Sequence, residues 1–232
     1  MPANTPPSPW QPDWQWPTGI AVQPVEDWMW HAPLPLPEEE RVFTGASEKR
    51  RREFRAGRHC AHAALVSAGY HGTAAILRGD RGEPLWPAGF CGSITHSGHA
   101  CFAAAASLKY ASAIGIDVER HAPLKPGVID KVATATEQQW LQSRAVAAPH
   151  TAWDVLLFSI KESIHKVYYP LNRHQLGFHD VTVQLDDNHP RFSVVIDKPC
   201  PTARHPLQTL EGGFATNGDY VLSWIVVPPC AA

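Results

Sequence analysis

From Trp153 to Tyr169 the apolar residues Trp153, Leu156, Leu157, Ile160, Ile164 and Val167 recur at helical spacing and form one stripe. They predict an amphipathic helix that Pro170 ends. At about 100° per residue, Glu162 and Lys166 fall opposite that stripe, one turn apart. An earlier helix begins at Ser47, a suitable N-cap, and reaches Ala68, with Gly69 as its stop. Along it Arg50, Phe54 and Arg58 lie at i, i+4 and i+8, and Ala61 and Leu65 continue nearly the same stripe. A shorter helix is predicted over residues 136–143. The period changes to two where Ile114, Ile116 and Val118 alternate with Gly115, Asp117 and Glu119, predicting a strand over 113–119. Further strands are predicted over 90–95, 101–107, Val181–Leu185, 192–196 and Tyr220–Val227, whereas 199–213 reads as a loop. Helices and strands thus mix along the chain, and no internal sequence repeat is visible.

The strand alternation has a chemical consequence. It puts Asp117 and Glu119 on one face, roughly 7 Å apart at two strand rises. Hard divalent cations such as Mg²⁺ are held by one or two carboxylates plus the phosphates of a substrate. The later helix adds a third carboxylate, Glu162, and two lysines, Lys161 and Lys166. Alone, Glu162 and Lys166 read as an i,i+4 surface ion pair worth a few tenths of a kcal/mol. Beside the carboxylate strand, the set reads as a metal-assisted phosphoryl-transfer site. Arg50 and Arg58, on the edge of a core-facing stripe, either snorkel into water or meet an anion. Arg51, Arg52 and Arg55 point elsewhere and read as solvated. Residues 78–82, Arg-Gly-Asp-Arg-Gly, read alone as an exposed hairpin turn.

Composition narrows the class without choosing the chemistry. The chain has 232 residues, 44% of them hydrophobic and 18% charged, which suits one globular domain or two small halves. A formal charge of −2 argues against a general nucleic-acid binder. The five cysteines are scattered and never spaced CxxC, which fits reduced thiols and neither a disulfide framework nor a zinc site. His59 and His62 have ligand-like spacing but no acidic residue near them in sequence, and read as structural. The first basic side chain is Arg41, so no signal peptide is read, and residues 1–17 are rich in Pro and Trp. The apolar run at 102–106 is too short to span a bilayer. The expectation is a soluble, cytoplasmic, monomeric protein without membrane or nucleic-acid partners.

Four ordered blocks across about residues 41 to 180 resemble a known family. They are Lys49-Arg50-Arg51-Arg52-Glu53-Phe54 through Arg58-His59-Cys60-Ala61, and Arg78-Gly79-Asp80-Arg81-Gly82-Glu83-Pro84-Leu85-Trp86-Pro87. Then come Gly92-Ser93-Ile94-Thr95-His96 with the Gly-Ile-Asp-Val-Glu strand, and the Lys-Glu-x-x-x-Lys helix running into Tyr169-Pro170-Leu171 and Leu176-Gly177-Phe178. The chain resembles the larger, single-chain 4′-phosphopantetheinyl transferases, nearest the siderophore-synthase and mycobacterial-type bacterial branch. The resemblance implies an α+β fold of two similar halves about a pseudo-twofold axis, with coenzyme A in the cleft between them. Divided near 109–112, the chain then comprises the segment 1–17, an N-terminal half over 18–110 and a C-terminal half over 111–232.

The implied reaction moves the phosphopantetheine of coenzyme A to a serine of an acyl, peptidyl or aryl carrier protein, releasing adenosine 3′,5′-bisphosphate. By resemblance, Asp117, Glu119 and the Val118 carbonyl bind Mg²⁺, for which Mn²⁺ can substitute. Glu162 is the candidate general base and a further metal ligand. Lys166, and more weakly Lys161, neutralise the pyrophosphate. Arg50, Arg58 and His96, with Thr95 beside it, serve the phosphates. Arg78, Gly79, Asp80 and Arg81 lie along the nucleotide, with Gly79 and Gly82 allowing close backbone approach, and Leu176 lines the pantetheine arm. Ser97, next to His96, is read as outside the chemistry. Three other classes compete. A metal-dependent nuclease is disfavoured by the acidic charge and by a lysine directly preceding Glu162 on a helix. A non-catalytic coenzyme A binder is disfavoured because all three acidic positions are retained. The small trimeric synthase is about half this length.

Overall fold

The computed structural model describes residues 16–41 and 45–229. The Pro/Trp-rich reading of residues 1–17 therefore lies almost wholly outside the described residues. A first unit comprises β1 (Ala21–Pro24), α1 (Pro37–Arg41), α2 (Glu48–Ser67), the two-stranded hairpin β2 (Leu77–Arg78) and β3 (Pro84–Leu85), then β4 (Phe90–Ser97) and β5 (Ala100–Ser107). The second has β6 (Ala113–Arg120), α3 (Ile129–Val132), α4 (Ala135–Ala147), α5 (Trp153–Asn172), β7 (Val181–Leu185), β8 (Arg191–Ile196), β9 (Thr209–Thr216) and β10 (Tyr220–Val227). Strand order is β1-β5-β4 in a three-stranded sheet and β6-β10-β9-β8-β7 in a five-stranded one. Both are antiparallel throughout.

Each sheet carries one long helix. The apolar stripe of α2, with Cys60, Ala61, Ala64 and Leu65, packs on Ala103 and Ala105 of β5. The α5 stripe, with Leu156, Leu157, Ile160, Ile164 and Val167, packs on Val181, Val183, Val221 and Ile225. Between the sheets lies a third core, in which Phe102, Ala104 and Ala106 meet Ile114, Ile116, Val118, Leu222 and Trp224. The central strand β5 is buried on both faces, and its run of fully buried alanines lets a helix and a second sheet close on it from opposite sides. The facing edges of the sheets, β4 and β6, meet at this seam.

Two predicted boundaries need correction. α5 does not stop at Pro170 but continues to Asn172, and Arg173 caps it in the left-handed region with φ 53°, its N–H on the Tyr169 carbonyl at 2.7 Å. A proline in the last turn costs the helix one hydrogen bond without starting a new direction. Residues 199–213 are not all loop, because β9 begins at Thr209. Its Gly212 and Gly213 resemble turn residues in sequence. In the fold they make room: a Cβ at either would fall on Trp224 or on the Phe192 ring.

Candidate active site

Gly115 on β6 has no side chain because α5 passes too close. A Cβ there would fall on the Ser163 carbonyl oxygen. This approach sets Lys166 on α5 beside Asp117 on β6. Lys166 Nζ donates to Asp117 Oδ1 at 2.7 Å and to the Ile116 carbonyl at 3.0 Å. The lysine therefore pairs across the fold and not with Glu162 one turn back, as the i,i+4 spacing suggested. Asp117 is also held by Thr95, whose hydroxyl donates to Oδ1 at 3.1 Å, while the Asp117 carbonyl accepts from the Ser159 hydroxyl at 3.1 Å. The other carboxylate oxygen, Oδ2, is buried and has no partner.

Three carboxylates share this electrostatic environment. Burial raises the Asp117 pKa against the opposing pull of Lys166. Burial and the charge of Asp117 raise that of Glu119, against the Ser97 hydroxyl. For Glu162, burial pushes upward, but His165 and Lys166 prevail and hold the carboxyl below its usual range. The His165 Nδ1 lies 3.9 Å from Glu162 Oε1, a charge contact beyond hydrogen-bond length. Among the described residues no three His, Cys, Asp or Glu side chains close on one point as a ready metal cage. The unpartnered Asp117 Oδ2 and the raised pKa values nonetheless fit a cation that draws on one or two carboxylates and completes its shell elsewhere.

Opposite Asp117, α2 contributes the basic wall. A cleft of about 300 Å³ is lined by Arg50, Arg58, Arg78, Thr95, His96, Asp117 and Lys166, together with Glu53 and Phe54. Arg58 is 4% exposed, its guanidinium 4.3 Å over the Phe54 ring, and its Nε is buried without a partner. Burial brings its pKa down to about 10, so it stays charged at neutral pH. Arg50 Nη1 lies 3.4 Å from His96 Nε2. Burial also lowers the His96 pKa, which Glu53 opposes. Glu53, to which the sequence assigned no role, sits 3.6 Å from Arg50 and balances this wall. A second cavity shares Gly82, Pro84, Ile94 and Lys166 with the cleft, and a third shares His165, Tyr169 and Gln175 with the second. One of about 270 Å³ joins Arg81, Gly82 and Trp86 to Lys166 and His165. Another of about 430 Å³ joins His165 to Glu162, Tyr169, Leu176 and Phe178.

Several sequence assignments move. Lys161 is fully buried: its Nζ donates to Glu137 Oε2 at 2.7 Å and to the carbonyls of Val132, Phe178 and Val181, away from the cleft. Thr95 lines the cleft, but its hydroxyl is committed to Asp117 and to the Val118 N–H at 3.0 Å, leaving no donor for a phosphate. The space beside Gly79 is filled by the Glu83 carboxylate and not left for a ligand. Gly82, at φ 89°, makes the turn of the hairpin. Asp80 is exposed and lines none of the three cavities. Arg55 pairs with Glu40 at 2.8 Å and Arg51 bonds the Ala46 carbonyl, so neither is merely solvated. His62 does find an acid, the buried Glu39 at 2.9 Å, and His59 meets the Trp28 ring edge to face. Ser97 is not remote: its hydroxyl donates to Glu119 Oε2 at 2.9 Å.

Comparison with known proteins shows the family of the chain. A family model described as the 4′-phosphopantetheinyl transferase N-terminal domain matches residues 38–106. A second, described as the 4′-phosphopantetheinyl transferase superfamily, matches residues 113–224. The chain belongs to the 4′-phosphopantetheinyl transferase family. It is 36% identical over 198 residues to the 4′-phosphopantetheinyl transferase PptT of Mycobacterium tuberculosis, covering 83% of this chain and 86% of that protein. It is 37% identical over 195 residues to the 4′-phosphopantetheinyl transferase Svp of Streptomyces mobaraensis, covering 84% and 79%. Similarity extends at 34% over 144 residues to enterobactin synthase component D of Salmonella typhi, covering 60% and 56%.

Proposed function

We propose that the cleft is a transfer site in which coenzyme A lies along the three joined cavities and gives its phosphopantetheine to a carrier-protein serine. As a member of its family, the chain is a 4′-phosphopantetheinyl transferase. The observation that carries the assignment to this cleft is its change of character along one line. It begins with Arg50, Arg58 and His96, passes Lys166 and Asp117, and ends among Leu176, Tyr169 and Phe178. A ligand with phosphates at one end and a neutral arm at the other fits that order.

Asp117 and Glu119, with Glu162 and the Val118 carbonyl as further donors, are the residues that would hold a divalent cation, Mg²⁺ or Mn²⁺. A cation bound there supplies charge that offsets the pyrophosphate and its leaving group. Arg58, with Arg50 about two turns earlier on the same helix and lining the same cleft, orients the phosphates, its fork of donors suiting phosphate oxygens. Lys166 lines the cleft beside Asp117, where it neutralises the pyrophosphate. Glu162, held ionised at neutral pH, accepts the proton of the attacking serine hydroxyl, directly or through water. The serine oxygen bonds to the phosphorus attached to pantetheine, and adenosine 3′,5′-bisphosphate leaves.

The two units, each one sheet with one long helix, support a reading as related halves about a pseudo-twofold axis, spanning 18–110 and 111–232. Among the described residues no helix is long and apolar enough to cross a membrane. Four unbridged cysteines among the described residues fit a reducing, cytoplasmic setting, and the proposed reaction takes acyl, peptidyl or aryl carrier proteins as partners of a chain read as a monomer. Mass spectrometry of an apo carrier protein incubated with coenzyme A and Mg²⁺ tests the reaction. One added phosphopantetheine is expected, lost with EDTA or in Asp117→Ala, and slowed about 10²-fold in Glu162→Gln. No mass change with any acyl, peptidyl or aryl carrier protein would refute the proposal.

A further inference from the structure

Side chains on β4 alternate between two tasks. Ile94 and His96 face α2, where Ile94 packs against Gly57 and His96 reaches Arg50. Ser93, Thr95 and Ser97 face the other way, onto β6. The Ser93 hydroxyl accepts the Ile116 N–H at 3.1 Å. Thr95 accepts the Val118 N–H and donates to Asp117 Oδ1, and Ser97 donates to Glu119 Oε2. β4 and β6 belong to different sheets and share no backbone ladder among the described residues. Three hydroxyls at i, i+2 and i+4 stand where ladder bonds would otherwise be.

We infer that Ser97 is a positioning residue. Its hydroxyl fixes the rotamer of Glu119 so that Oε1 faces a bound divalent cation, completing from one sheet a site whose carboxylates belong to the other. The inference rests on the reading of Asp117 and Glu119 as metal ligands. Glu119 has a long side chain and is repelled by Asp117 and Glu162. The Ser97 bond is the one hydrogen bond its carboxylate makes among the described residues. Without it, repulsion drives Glu119 outward to water. A hydroxyl satisfies one carboxylate oxygen and leaves the second available. Asp117 shows the same division, with Oδ1 taken by Thr95 and Lys166 and Oδ2 unpartnered. A hydroxyl also donates without bringing charge, so it holds the carboxylate in place and leaves its charge for the cation, which a lysine would not.

The test is a Mn²⁺ titration of the full chain saturated with coenzyme A, free Mn²⁺ being read by electron paramagnetic resonance. Ser97→Ala should loosen Mn²⁺ about tenfold, the equivalent of one charge-assisted hydrogen bond. Ser97→Thr, which keeps the hydroxyl on a strand, should restore affinity to within about twofold. Coenzyme A affinity measured in EDTA should be the same in all three proteins. Unchanged Mn²⁺ affinity in Ser97→Ala overturns the inference, as does failure of Ser97→Thr to rescue, or an equal loss of coenzyme A binding in EDTA. If the wild type takes up no Mn²⁺, the metal reading itself fails, and the inference with it.

Discussion

Lys161 lies one residue from Glu162 yet serves a different part of the protein, and removing it separates fold from chemistry. Its ammonium is fully buried and bonded to Glu137 Oε2 and to three carbonyls. Glu137 is equally buried, and it also accepts the N–H groups of Thr134 at 2.7 Å and Val183 at 2.8 Å. The pair thus ties α4, α5, β7 and the end of α3 at one point. Burial lowers the Lys161 pKa, and Glu137 opposes that shift. Lys161→Ala leaves a buried carboxylate without its cation and frees three buried carbonyls. Breaking a buried pair from one side costs about 3–5 kcal/mol. For a chain of this size, about 2–4 °C per kcal/mol lowers the melting temperature by roughly 6–20 °C. Urea unfolding measures the loss, and a coenzyme A titration at low temperature reads the site in the protein that remains folded. Affinity there should stay within about twofold of wild type. A variant of wild-type stability with tenfold or greater loss of coenzyme A affinity would falsify this account and return Lys161 to the pyrophosphate.

Two further outcomes follow from the cleft. Arg58→Ala should weaken coenzyme A binding by about 1.5–3 kcal/mol in calorimetry. Repeating the titration with dephospho-coenzyme A assigns the contact, since a much smaller penalty places Arg58 on the 3′-phosphate and an equal penalty on the pyrophosphate. Wild-type affinity for both ligands would mean that it only packs on Phe54. Gly115→Ala should cost about 1–3 kcal/mol in denaturant unfolding, because a backbone carbonyl of α5 must move aside. It should also slow turnover, because α5 carries Lys166 and Glu162. Normal activity in a destabilised variant would show that the close approach serves packing alone.

Much of this arrangement was legible where one period ran cleanly. The stripe of α5 and the alternation of β6 fixed both elements, and the shared face of Asp117 and Glu119 follows from that alternation alone. What the sequence hid depended on residues far away in the chain. Lys166 has a neighbour at i−4, so Glu162 looked like its partner, whereas the contact that forms is with Asp117 on another element. Lys161 reads in sequence as a weaker partner of the pyrophosphate, because its buried partner Glu137 lies 24 residues away in the chain. The one available signal was the Thr134-x-x-Glu137 capping box, which puts a carboxylate at the start of α4. β9 was missed because two glycines inside a strand look like a turn until Trp224 and Phe192 occupy the space beside them. Ser97 was legible in principle. Ser93, Thr95 and Ser97 carry a polar period of two in a strand otherwise read for its apolar residues.

Asp117 and Arg58 together constrain the ligand more tightly than either does alone. A buried carboxylate oxygen without a partner costs about 1–3 kcal/mol, and more when charged, and the same holds for a buried guanidinium nitrogen. The protein keeps both, Asp117 Oδ2 and Arg58 Nε, in side chains that line one cleft. They cannot satisfy each other, since Lys166 and Thr95 already hold Asp117 from one side, and Arg58 is fixed over Phe54. Glu119 adds to the asymmetry, because burial and the charge of Asp117 raise its pKa and a further positive charge would relieve it. An anion alone would suit Arg58 and repel Asp117; a cation alone would do the reverse. A divalent cation carried on a phosphate chain meets both demands at once, the metal toward the carboxylates and the phosphate oxygens toward the arginine. On the proposed reading the metal–pyrophosphate unit would be the cleft's single ligand, and metal and coenzyme A should bind cooperatively, each tightening the other in paired titrations.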